Sequence, residues 1–251
     1  MLEKVAGVAL VNKLRAILLM EADFNYMNKW IFGHEAINKM YALDYVAEDQ
    51  YSQKESTAED AKLDNKLTMD LSRQLRHPLA TMSADADKCY DRINHIVMSL
   101  LLLAIIGTVG PVVAMLHPIQ LMKFYQRTAR GDSKTFMGGR GRDNPLQGLC
   151  QGNGAAPACW LIICSVLMHC YKSRGFGSRI ISPISGAVID FLGEIYVDDS
   201  DLIVTHPDLE TPEAVLKGLH SSAEAWSSGI NSTGGGAINP DKSRWILASY
   251  E

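Results

Sequence analysis

The chain has 251 residues, 47% of them hydrophobic and 21% charged, with a net charge of −4. That is the balance of an ordinary globular protein, long enough for one large domain or two small ones. Its five cysteines (Cys89, Cys150, Cys159, Cys164, Cys170) are odd in number and no two have the gap of a zinc knuckle, which argues against a disulfide framework and for reduced thiols in an intracellular protein. In chain order, a short extended start, without the basic cap and apolar block of a secretory leader, leads into a helical region at 22–40. Leucines 63, 67, 71 and 75, four apart, predict a charged helix over 57–76, which His77-Pro78 ends. A strand is predicted at 79–86 and two or three helices over 94–130. The apolar stretch 98–116 is long enough to span a membrane, but Gly107 and Gly110-Pro111 interrupt it and favour two short buried helices. A weak strand at 135–137, an apolar helix at 157–172, strands at 180–190 and 193–205, a helix at 212–227 behind Thr211 and a last strand at 245–248 complete the series. The interleaving is irregular, so the fold class is α+β.

Charge is unevenly placed. Residues 48–70 hold seven acids against three lysines, the whole deficit of the chain. Residues 123–142 hold six bases (Lys123, Arg127, Arg130, Lys134, Arg140, Arg142) against Asp132. Such a strip either tracks a phosphate backbone or forms a solvated face.

The most informative segment is Glu194-Ile195-Tyr196-Val197-Asp198-Asp199-Ser200-Asp201, two β-rich runs around adjacent carboxylates, which predicts a hairpin with Asp198 and Asp199 at its turn. Carboxylates this close repel, and a divalent cation relieves the repulsion. The alternative is a solvated acidic turn. A second carboxylate, Asp85, falls at the end of the 79–86 strand. Two metal ions that share a ligand need acids from more than one element, and Asp85 with Asp198 supplies them. Asp87 and Asp91 read instead as surface ion pairs or a helix cap, and His95 as a packed or capping residue.

Asp85, four residues, Tyr90, then Asp91 resembles motif A of reverse transcriptases, and Tyr196-Val197-Asp198-Asp199 resembles motif C. The run from Asp85 to His95 is most similar to the group II intron and non-LTR retrotransposon types. Viral RNA-dependent RNA polymerases usually have Gly where Val197 stands. Gly148-Leu149-Cys150-Gln151-Gly152-Asn153-Gly154-Ala155-Ala156-Pro157 resembles motif B, with Ala156 in place of the usual Ser. Asn239-Pro240-Asp241-Lys242 resembles motif D, and Asn12-Lys13-Leu14-Arg15-Ala16-Ile17 the fingers motif, with Ala16 in place of Pro. Residues 48–61 resemble the link between fingers and palm.

The resemblance implies a right-hand polymerase palm, an antiparallel sheet with helices on one face, plus partial fingers and no thumb. It divides the chain at 1–78, partial fingers and link, and 79–251, palm with motifs A to D. It implies RNA-directed DNA synthesis from deoxynucleoside triphosphates on an RNA template and a DNA or RNA primer, in a nuclear or cytoplasmic protein that is part of a longer retroelement polyprotein. Two Mg²⁺ ions, with Mn²⁺ as a substitute, are implied at Asp85, Asp198, Asp199 and the Ala86 carbonyl. Lys242 is implied beside the leaving pyrophosphate, Arg15 on the triphosphate with Lys4 as a looser second ligand, Gln151 and Gly152 against the base pair, and Tyr90 beneath the ribose. A non-catalytic RNA-binding palm remnant, an RNA-dependent RNA polymerase and a small membrane protein are the alternatives.

Overall fold

The computed structural model describes residues 2–3, 14–15, 17–128, 131–139, 148–234 and 236–250. Strands β1 (Leu2–Glu3) and β2 (Leu14–Arg15) pair antiparallel; α1 (Ala22–Trp30) then continues through a π-helical stretch (Ile31–Ala36) into α2 (Ile37–Ala42). Next come α3 (Ala58–Leu75), β3 (Leu79–Asp85), a 3-10 turn (Cys89–Arg92), α4 (His95–Ile106), α5 (Val109–Leu121), β4 (Lys123–Thr128) and β5 (Gly131–Gly138). The chain continues with α6 (Ala156–Ser173), β6 (Ser178–Ile181), β7 (Val188–Phe191), β8 (Gly193–Tyr196), β9 (Asp199–Val204), α7 (Pro212–Gly234) and β10 (Arg244–Ala248). These form two compact units, each from two separate stretches: Met1–Ala42 with Tyr90–Trp160, and Leu43–Cys89 with Leu161–Glu251.

The second unit is built on a four-stranded antiparallel sheet in the order β10-β3-β9-β8. Successive strand residues face opposite ways, so the register sorts its core. Ala80 and Val204 pack with Val215 and Leu219 of α7 on one face. Leu79 and Ile203 pack with Ala61 of α3, Tyr51 and Phe191 on the other. The expected one-sided helix cover is therefore two-sided, because the strand buries alternate residues under α7 and α3. Helix α3 starts at Thr57, where a capping box forms: the Asp60 amide donates to Thr57 Oγ1 at 3.2 Å and the Thr57 amide to Asp60 Oδ2 at 2.8 Å. It buries the small residues Ala61, Thr68 and Ser72 and leaves Leu63 and Leu67 exposed. The edge at β8 is covered by 49–51, where the Tyr51 amide donates to the Ile195 carbonyl at 2.9 Å.

In the first unit, α4 ends at Gly107, which has a φ of +80° and caps the helix. The apolar stretch is thus two helices. They bury Met98, Leu102, Met115 and Ile119 and expose Ile96, Leu100, Val109 and Val113. Among the described residues no helix is long and apolar enough to cross a membrane. One sequence-based expectation fails here: residues 123–128 are not helical but pair with 131–138 in a hairpin. The aromatic residues Phe124, Tyr125 and Phe136 suit a pleated surface, and cross-strand pairing won over helical continuation.

Candidate active site

The acidic site stands at one end of the β3–β9–β8 sheet. Asp85, last residue of β3, lies directly across from Asp199, first residue of β9. Directly opposed residues on one face have Cβ atoms about 5 Å apart. Beyond this pair the Ala86 amide donates to the Asp198 carbonyl at 3.1 Å, which ties the motif A-like segment to the hairpin turn. Tyr196 pairs with Asp199, so the turn is Val197-Asp198. Val197 adopts a φ of +60°, a left-handed conformation costly for a β-branched residue. Its amide donates to Ser52 Oγ, which helps hold the turn.

The motif D-like turn closes over the same end. The Asn239 amide donates to the Asp85 carbonyl at 2.9 Å, and Asp87 donates to the Ala237 carbonyl at 2.9 Å. Lys242 then places its ammonium 2.8 Å and 2.9 Å from the two carboxylate oxygens of Asp85. That hydrogen bond holds the Lys242 ammonium charged to higher pH than usual. Partial burial, then Asp198, Asp85 and Asp201, push the Asp199 carboxyl above the ordinary range, with Lys242 opposing. Asp85, Ala86, Asp198, Asp199 and Lys242 thus share one place.

Next to this end lie a buried acid, Glu194, and a half-buried one, Asp201. Glu194 faces Asp201 across β8 and β9. Burial, then the hydrogen bond and charge of Asp201, push Glu194 up to about 7, with Asn65 of α3 opposing. Asp49, buried nearby, is pushed up to about 6, mainly by desolvation.

Among the described residues, no group of three or more His, Cys, Asp or Glu side chains is arranged to hold a metal ion. Magnesium, however, is bound through one or two carboxylates together with substrate phosphates and water, and needs no all-protein cage. Asp85, Asp198 and Asp199 are carboxylates of that kind, and Lys242 pairs with Asp85 alone, which leaves the other two for a divalent cation to draw on.

In the first unit, the motif B-like loop folds against the 3-10 turn that carries Tyr90. The Leu149 and Cys150 amides donate to the Tyr90 carbonyl at 2.9 Å and 3.3 Å. Gly148, at φ +72°, has no room for a Cβ, which would strike the Tyr90 and Asp91 backbone. Gln151 accepts from the Leu18 amide at 2.9 Å, and a Cβ on Gly152, at φ +104°, would strike the Leu18 carbonyl. The helix-capping hydroxyl lost with Ala156 has a substitute: Asn153 Oδ1 accepts from the Ala155 amide at 3.0 Å. Arg15 has its backbone in β2; its side chain and Lys4 lie outside the described residues. The roles of Asn239 and Leu18 were not legible in the sequence, since each acts on a residue distant in the chain.

No protein-family model matches the chain, and no curated protein matches it by sequence. Its fold does have counterparts. It is a mixed fold, an antiparallel palm-like sheet with helices, that solved telomerase structures share. The solved structures it is similar to include telomerase from Candida tropicalis in complex with the TWJ fragment of telomeric RNA, at a TM-score of 0.57 and 15% identity over 90% of this chain. Apo telomerase from Candida tropicalis truncated from the C-terminal domain matches at a TM-score of 0.56 and 16% identity over 88% of this chain. The chain spans 35% of the first of those telomerase chains and 41% of the second.

Proposed function

We propose that this chain is the palm and partial fingers of an RNA-directed DNA polymerase of the group II intron and non-LTR retrotransposon kind, acting inside the cell as part of a longer retroelement polypeptide. The observation that carries the reading is the pairing of Asp85 with Asp199 across β3 and β9, with Asp198 on the adjoining turn. Asp85 and Asp198, helped by Asp199 and the Ala86 carbonyl, hold magnesium. When bound, magnesium supplies activation of the primer 3′-hydroxyl and neutralisation of the triphosphate. Lys242 exchanges Asp85 for the β- and γ-phosphates as nucleotide arrives, and so stands beside the pyrophosphate when the primer hydroxyl displaces it. Arg15 grips the triphosphate through its guanidinium fork. Gln151 and Gly152 position the templating base on an RNA strand, and the Tyr90 ring excludes a ribose 2′-hydroxyl.

The test is primer extension by the full chain on a poly-ribonucleotide template with deoxynucleotides and magnesium. Asp198→Asn is expected to reduce addition to background; unchanged synthesis in that variant sinks the mechanism. A preference of the unaltered chain for ribonucleotides puts an RNA polymerase first. One observation favours a second reading, a palm kept for RNA binding alone: Lys242 already neutralises Asp85. Calorimetry with magnesium and a deoxynucleoside triphosphate separates the two, because a remnant gives no binding heat.

A further inference from the structure

The β4–β5 hairpin is not absorbed by the acidic site, and its surface has a definite chemistry. The register sets Tyr125 opposite Phe136, so both rings lie on one face, with centroids 5.7 Å apart and planes tilted by 52°. Tyr125 is 52% exposed, a large aromatic surface left in water. The Lys123 ammonium sits 4.6 Å from the centre of the Phe136 ring. Lys134 is exposed on β5, and Arg127 makes an exposed ion pair with Asp132 at 2.9 Å.

The hairpin also walls a groove. A cavity of about 490 Å³ separates its side chains from the strap at Ile17, Leu18 and Leu19. That strap is hydrogen-bonded to the Gln151 carbonyl through the Leu18 amide. The groove therefore runs beside the loop that the proposed function sets against the templating base. The hairpin wall is held in shape where its register shifts between Tyr125 and Arg127: Ser133 Oγ accepts from the Gln126 amide at 3.0 Å and donates to the Thr135 carbonyl at 2.6 Å. Such bulges re-aim side chains.

We propose that this hairpin and groove dock a single-stranded nucleic acid, with bases on Tyr125 and Phe136 and phosphates on Lys123, Arg127 and Lys134. An exposed ring, Tyr125, beside the half-buried Phe136 and interleaved with cations, is the combination that binds single strands without sequence preference. The surplus of positive charge on 123–142 complements the phosphates. The identification of that strand as the unpaired template ahead of the pairing site rests on the polymerase reading; the docking chemistry does not.

Fluorescence anisotropy with the full chain tests it on three labelled probes: a single-stranded RNA, a blunt RNA–DNA duplex, and the same duplex with a 5′ template overhang. Tyr125→Ala combined with Phe136→Ala is expected to weaken binding of the single strand and the overhang at least about tenfold, leaving the blunt duplex within about twofold. Tyr125→Trp is expected to retain the affinity. Lys123→Ala is expected to reduce the salt slope on the single strand by about 0.7. Circular dichroism checks folding; if the double variant unfolds, the exposed single change Tyr125→Leu is read instead. Unchanged single-strand affinity in a folded variant overturns the proposal, as does equal loss on all three probes. Displacement of the RNA by an acidic polypeptide as readily as by unlabelled RNA overturns it in favour of a protein partner. None of these measurements needs nucleotide addition. A chain that binds the overhang through Tyr125 but never extends a primer sinks the polymerase reading alone. One that extends primers while the variant binds normally sinks the docking surface alone.

Discussion

Two residues of the described structure carry demands that stability measurements can read. Gly152 combines a φ of +104° with a close approach to the Leu18 carbonyl. Gly152→Ala is expected to destabilise the first unit by at least about 1 kcal/mol. Gly110, with nothing within 4 Å of its would-be Cβ and lying in α5, is the contrast: Gly110→Ala is expected to stabilise by about 0.5 kcal/mol. Urea titration of both variants checks the pair, and equal effects would remove the close approach from the argument. Glu194 is the second demand. Its folded-state value is raised from 4.5 to about 7. Between those values the folded chain holds a proton that the unfolded chain has released, so stability falls as pH rises through this window and levels off above it. Asp49, raised to about 6, acts in the same direction. Glu194→Gln is expected to raise stability at pH 8 by on the order of 1–2 kcal/mol, discounted for partial solvent screening, and to change little at pH 5. A variant whose melting temperature keeps the parent's fall from pH 5 to pH 8 contradicts the assignment.

At the scale of elements, the β8–β9 hairpin is held in a conformation its turn residue disfavours. Val197 at φ +60° occupies a position where glycine is at ease. Val197→Gly is expected to relieve about 1 kcal/mol of strain, visible as a higher denaturation midpoint with an unchanged slope. A loss of stability would mean that the Val197 side chain packs to more effect than its backbone is strained. The same hairpin shows what a sequence reading reaches. Alternating β-formers around adjacent aspartates were enough to predict a turn at 198–199, and the observed turn, Val197-Asp198, differs by one residue. Of the β4–β5 hairpin, a weak strand at 135–137 was expected and lies within β5, but β4 was missed because 94–130 reads as continuous apolar and charged sequence with no proline or glycine after Pro118. The aromatic residues Phe124, Tyr125 and Phe136 were the available signal, and they count as strand only once their partners are known.

The whole molecule carries a net charge of −4 yet concentrates positive charge on 123–142 and negative charge on 48–70. If the basic strip meets the nucleic acid, affinity follows the local charge and not the total. Binding of single-stranded RNA is then expected to fall with salt with a log–log slope of about −2 to −4, as for a handful of phosphate contacts. Anisotropy titrations between about 50 and 200 mM salt, a range over which phosphate contacts lose affinity steeply, read it; a slope near zero would return the strip to a solvated face. Both compact units draw on two distant stretches of chain. The telomerase structures share the fold at about one residue in six, which transfers architecture and leaves chemistry to be tested.

The sequence by itself determined what depends on neighbours in the chain: the capped helix after Thr57, the break at Gly107, the acidic hairpin, and the order of Asp85, the glycine loop, Asp198 and Lys242. These follow from backbone preferences and short-range patterns. Tertiary structure alone decided what each acid touches. Asp85 meets Asp199 and Lys242, Asn65 of α3 reaches Glu194, and α3 and α7 take opposite faces of one sheet, through contacts between residues far apart in the chain. Strand register sets those contacts, and register is set by the burial of whole faces.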